Sequence, residues 1–178
     1  MEHVNIKIFA TADSSPVAFA EAIPVFHRWI QSRDLPELVI DVADYSHVPA
    51  GPGVLLIGHE ANYALDNAGN RPGFLYSRKV ADGASASDSL QRAYDSALTG
   101  SRRMEAEPEF QGKLKFNPKE LEITLNDRLL YPNTEAGWKS VETALTAFLD
   151  GLYGARAYRV IRPSDPRERL SMLVSAVG

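Results

Sequence analysis

The chain opens on an alternation. Val4, Ile6, Ile8 and Ala10 are separated by His3, Asn5, Lys7 and Phe9, a period of two that buries one face of a strand and leaves the other outside. A helical pattern follows, with Phe19, Ile23, Phe26 and Ile30 at the spacing of one apolar stripe. Ser15 suits its cap and Pro16 its first position. Pro24 falls inside the stripe, removes a backbone donor, and predicts a kink or a break there. Residues 38–48 read as a second strand, and Pro49-Ala-Gly-Pro-Gly53 as a loop. Residues 54–66 read as a third strand whose continuous apolar start implies cover on both faces. Asn67-Ala-Gly-Asn70 is predicted to turn a hairpin onto a fourth strand at 74–80.

A small-residue loop at 82–87 then leads into a second helix, capped by Ser85 or Ser87 and striped by Leu90, Tyr94, Ala97 and Leu98. An acidic connector at 105–109, broken by Pro108, makes 105–112 the best candidate for an internal division. Residues 113–116 and 121–127 read as a hairpin around Asn117-Pro-Lys-Glu120. A third helix is capped by Asn133 or Thr134, carried by Trp138, Val141, Leu145 and Phe148, and ended by Gly154. A final hairpin pairs 158–162 with 170–177. The expected order is β-α-β-β-β-α-β-β-α-β-β. Hairpins with helices between them predict an α+β fold in one domain over 1–178, its sheet antiparallel or mixed and covered by helices on one face.

Charge and composition narrow the function without naming it. A net charge of −4 with scattered basic residues lacks the basic face that nucleic acid or an anionic membrane requires. The absence of cysteine excludes a disulfide framework, thiolate metal sites and thiol catalysis, and fits a reducing compartment. No charged-then-apolar leader opens the sequence, and apolar runs such as 54–57 are too short to span a bilayer. The expectation is a cytoplasmic protein with no membrane or nucleic-acid partner. No phosphate loop, dinucleotide fingerprint, nucleophile elbow or metal-ligand spacing is present, so no cofactor or metal is expected.

Polar residues interrupt the core pattern mainly between Asp41 and Val80, and local inconsistency of that kind marks functional sites. Counting back from a turn centred on Ala68-Gly69 sets His59 opposite Arg78, Ala61 opposite Tyr76 and Tyr63 opposite Phe74, all on one face. Glu60 opposite Ser77 falls on the other face. His59 and Glu60 then point apart and cannot form one acid–base dyad or one ligand pair. His59, Arg78, Tyr76 and Tyr63 form the candidate ligand site, since an arginine among tyrosines suits a carboxylate or phosphate on a small molecule. The competing reading is a solvated cross-strand pair.

The loop before the second helix is the other candidate. Gly83, Ala84 and Ser85 lead into a helix N-terminus, where free N–H groups suit an anion. The order of elements resembles that of the acetyl-CoA-dependent N-acetyltransferase superfamily, in which the turn from the fourth strand to the next helix holds the cofactor pyrophosphate. That family's motif is Arg/Gln-x-x-Gly-x-Gly/Ala. Arg78-Lys-Val-Ala81-Asp-Gly83 keeps the arginine and the last glycine, lacks the first glycine, and sets Asp82 beside the phosphates. This resemblance of topology implies an acyltransferase as the alternative function. VFHRWIQ, IDVADYSHVPAGPGVLLIGHE and NDRLLYPNT also resemble an uncharacterised bacterial family, which brings no activity with it. A third reading is a non-catalytic homodimer, for which sheet edges and the wet faces around Asn5/Lys7 and Glu122/Thr124 leave room.

Overall fold

The computed structural model describes residues 1, 3–14, 17–81, 83–163 and 165–177. Along the chain these form β1 (Val4–Ala10), α1 (Ala22–Ser32), β2 (Val39–Tyr45), β3 (Gly53–Gly58), β4 (Ala61–Asp66) and β5 (Gly73–Arg78). Then come α2 (Ala86–Ala106), β6 (Phe116–Leu125), α3 (Glu135–Tyr153), β7 (Tyr158–Ile161) and β8 (Leu170–Ala176). The eight described strands make one sheet in the order β2-β3-β4-β5-β1-β6-β8-β7. Every neighbouring pair is antiparallel. The fold is α+β as expected, and of the two sheet types left open it is the antiparallel one.

Three local expectations change. The long third strand is two strands, β3 and β4, reversed at His59-Glu60. A side chain at Gly58 would stand 2.4 Å from the Ala61 carbonyl oxygen, so glycine is what lets the chain double back there. The expected hairpin around Asn117-Pro-Lys-Glu120 is one strand, β6, with an irregularity. Ile8 lies opposite Leu121 while Ala10 lies opposite Phe116, so the intervening residues bulge and Pro118 owes no ladder hydrogen bond. Finally, α1 starts only at Ala22, after a single 3-10 turn at Phe19–Glu21. That places Pro24 in the first helical turn, where a missing N–H leaves no hydrogen bond unmade. The expected cap Ser15 and first-turn Pro16 lie outside the described residues.

Alternation along the strands sorts the sheet into two faces. Leu56, Tyr63, Tyr76, Ile6, Ile123 and Met172 lie side by side across six strands and are all buried. The helices pack on this face. Trp29 of α1 meets the Phe74 ring at 6.3 Å, and Tyr94 of α2 meets Phe148 of α3 at 6.0 Å. A Cβ on Gly100 of α2 would stand 2.4 Å from the Phe74 ring, so the glycine admits the aromatic side chain against the helix. Each such large side chain contributes roughly 1.5–3 kcal/mol by leaving water. Among the described residues no helix is long and apolar enough to cross a membrane.

The other face holds a buried ion pair at its centre. Lys7 on β1 runs across Gly73 on β5, where a Cβ would stand 2.7 Å from Lys7 Cε, and its ammonium pairs with Asp66 on β4. Lys7 and Asp66 are 3% and 2% exposed, so neither charge has bulk water to turn to. Asp66 also accepts from the Ala68 N–H at 3.1 Å, and the Phe9 ring centroid lies 5.3 Å from the ammonium. Removing one member of such a pair strands the other. Lys7→Met should therefore lower the unfolding free energy in urea by about 3 kcal/mol, and Lys7→Met/Asp66→Asn should recover at least half of that. A Lys7→Met cost near zero would mean that Asp66 finds water when the lysine is gone.

Candidate functional site

The structure moves the register of the β4–β5 hairpin by two residues. Asp66 lies opposite Gly73, Tyr63 opposite Tyr76, and Ala61 opposite Arg78. The connection is a six-residue loop, 67–72, containing a 3-10 turn with Gly69 at φ 67°, and not a tight turn at Ala68-Gly69. An even shift keeps every side chain on its expected face. Tyr63, Tyr76 and Arg78 therefore share the helix side. His59 does not join them as a strand residue. It sits exposed in the β3–β4 turn with its backbone N–H on the Leu38 carbonyl at 2.8 Å. Glu60 occupies the same turn, and its carbonyl accepts from the Lys79 N–H at 2.8 Å. The expected opposition of His59 and Glu60 across a strand is thus replaced by adjacency in a turn.

What the two tyrosines meet is a carboxylate that the sequence did not single out. The Tyr76 hydroxyl donates to Glu37 Oε1 at 2.7 Å, and the Tyr63 hydroxyl donates to Glu37 Oε2. Their rings stand edge to face, 5.2 Å between centroids. Glu37 is buried, although it belongs to the segment 33–38 that connects α1 to β2. The chain enters this segment through Arg33, in a left-handed conformation at φ 52°. Arg103 of α2 then pairs with Asp34 and stacks over Trp29 at 4.6 Å. A carboxylate buried under a connecting segment is tolerable because both its oxygens receive donors. No periodicity points to Glu37. The one available signal is a single acid set between Leu35-Pro36 and Leu38 in an otherwise apolar run.

Residues 33–38 border two open hollows. One is a groove of about 790 Å³ between the end of α1 and the start of β2, with Glu37 in its wall. The other, of about 210 Å³, lies between Leu35-Pro36, Tyr63 and the α2 residues Asp95, Ser96, Thr99 and Gly100. Burial, and then the bond to Glu37, raise both tyrosine hydroxyls above the ordinary phenol range. The nearby Arg78 charge pulls Tyr76 the other way without overcoming them. Arg78 is half-buried and faces the helix side, with its Nε donating to the Val80 carbonyl at 3.1 Å. Its neighbour on β4 is the buried Ala61, and the same level of the sheet continues through Val4, Leu125 and Leu170.

The loop before α2 is arranged differently from an open anion cradle. Gly83 takes φ 65° and is exposed. Ser85 caps the helix, accepting from the Asp88 N–H at 3.2 Å and donating to the Asp88 carboxylate at 2.7 Å. An accepting hydroxyl oxygen and a negative charge already occupy that N-terminus, with Ala84 half-buried behind them. Asp82 lies outside the described residues. His47 is exposed in the β2–β3 loop, and among the described residues no three His, Asp or Glu side chains are grouped to hold a metal ion. Comparison with protein-family models, curated proteins and solved structures gave no significant match to this chain.

The Glu37 cluster has a pH signature. Both phenols have folded values raised above 10, so the stability tied to their neutral form is complete below pH 10 and is lost as the pH rises past it. Unfolding free energy should fall steeply on going alkaline from pH 10, and Tyr63→Phe/Tyr76→Phe should flatten that fall. Absorbance titration of the native protein should show both phenols resisting ionisation until it unfolds. Free titration near pH 10 by all seven tyrosines would contradict the buried arrangement.

Proposed function

We propose that the protein binds a small anionic molecule at the end of the middle strands. Arg78 and His59 meet the ligand, and the Tyr63–Tyr76–Glu37 cluster forms a rigid floor. The observation that supports this reading is the position of Arg78. It is a charged side chain on the helix side of the sheet, half-buried beside Tyr76, at a level otherwise filled by buried apolar residues. Partial burial of a guanidinium costs solvation that an aliphatic residue would not incur. An arginine held there suits bidentate recognition of a carboxylate or phosphate. The turn that carries His59 bonds to the backbone just past Arg78 through Glu60 and Lys79, which keeps the imidazole at the same end of the hairpin. Glu37 does not cancel this positive character, because two phenolic donors already answer its charge.

Thermal melting in inorganic phosphate, sulfate, acetate and succinate tests the site. A ligand at about ten times its Kd stabilises the folded state by about 1.4 kcal/mol. For a chain of this size that raises the melting temperature by about 3–5 °C. The shift should vanish in Arg78→Ala and shrink in His59→Ala, with Tyr63→Phe serving as a floor variant that keeps part of it. A melting temperature indifferent to all four anions up to about 20 mM, or an equal shift in Arg78→Ala, would sink the proposal.

A further inference from the structure

The face of the sheet turned away from the helices has two levels of unlike character. At one level Asn62, Ser77, Asn5, Thr124 and Ser171 lie side by side across five strands. At the next, Leu55, Ala64, Leu75 and Leu173 flank Lys7 and Glu122. The lysine charge is met by Asp66, and the half-buried Glu122 adds one negative charge beside that pair. Near that centre the Asn5 Oδ1 is enclosed and has no hydrogen-bond partner among the described residues. Two exposed charges stand at opposite corners. Asp41 lies on edge strand β2 at the polar level, and Arg159 lies on edge strand β7, one level beyond the apolar one.

We infer that this face docks a second copy of the chain, sheet against sheet, about a two-fold axis. An axis lying in the interface, perpendicular to the line joining the two corners, exchanges them. Each Asp41 then meets the partner's Arg159, and the contact is made twice. Asp41 Oδ1 accepts from the Val42 N–H at 2.8 Å, which leaves Oδ2 to face the arginine. Size agrees with a modest dimer. Eight strands about 4.8 Å apart, covered over about 15 Å of their length, present about 500 Å² per copy, or about 1,000 Å² in total, the lower bound for a specific interface. The alternative route, edge to edge, is guarded at both ends. The register of β2 shifts at Ile40 and Asp41 covers the Val42 N–H, while β7 is only four residues long with Arg159 on it. Irregularity, charge and shortness are the usual means by which edge strands refuse a partner.

Sedimentation velocity of the full chain from about 1 to 200 µM tests the inference, a range suited to an interface at the small end of the specific class. A monomer–dimer equilibrium that weakens with added salt is expected. Leu75→Glu should weaken association by about tenfold or more with the circular dichroism unchanged. Asp41→Arg and Arg159→Asp are exposed changes that leave folding intact. Each should weaken the dimer by about fivefold, and the double variant should regain most of the loss, because the reversed charges meet again across the axis. A strict monomer at the highest concentration overturns the inference. So does a dimer that ignores Leu75→Glu, or one that the charge exchange does not restore.

Discussion

Lys7 reaches Asp66 by lying across Gly73, and the arrangement of the central strands turns on that crossing. The pair links β1 to β4 past the strand between them, so three strands share one register. Sliding β5 by a single residue would put Phe74 or Pro72 under the lysine and turn the apolar set of the strand away from the helices. The ion pair is a weak source of net stability, because both charges gave up water to form it. Its force is conditional. Once β1 is inside the sheet, any arrangement that separates Lys7 from Asp66 leaves a charge in a place that water does not reach.

The opposite face solves a similar problem with neutral donors. Two phenols held in their neutral form both donate to Glu37, and the connecting segment that carries Glu37 is closed over the sheet by them and by the Arg103–Asp34 pair. The sheet therefore has a buried polar fastening on each side, one ionic and one built from neutral donors on a carboxylate. The second lies beside Arg78, close enough for the guanidinium charge to act on the Tyr76 hydroxyl.

The parts legible in the sequence are those set by periodicity. The alternation of Val4, Ile6 and Ile8 and the helical stripes of α2 and α3 each depend on a repeat that local geometry imposes. The reversal at His59-Glu60 was not legible, because apolar residues continue on both sides of it and Gly58 alone marks the turn. At 117–120 the residues that suggest a turn are the same ones a bulge uses, and only the pairing of β1 with both Phe116 and Leu121 separates the two. Counting register gave the faces of Tyr63, Tyr76 and Arg78 correctly because the error in the loop was even. It could not give Glu37, whose partners lie 26 and 39 residues away.

The central position of β1 also sets an order of events during synthesis. β2 to β5 follow one another as hairpins, so each finds its neighbour soon after it emerges. β1 pairs with none of its neighbours in sequence. Its partners are Gly73–Arg78 and Phe116–Leu125, and with chains emerging at about 5–20 residues per second it waits several seconds for the second of them. Until then a strand with one strongly apolar face has an open side, and non-local closure of that kind is slow and prone to aggregation. Of the eight described strands β1 has the longest wait for its second neighbour, and chaperone demand should fall on the growing chain and not on the finished protein.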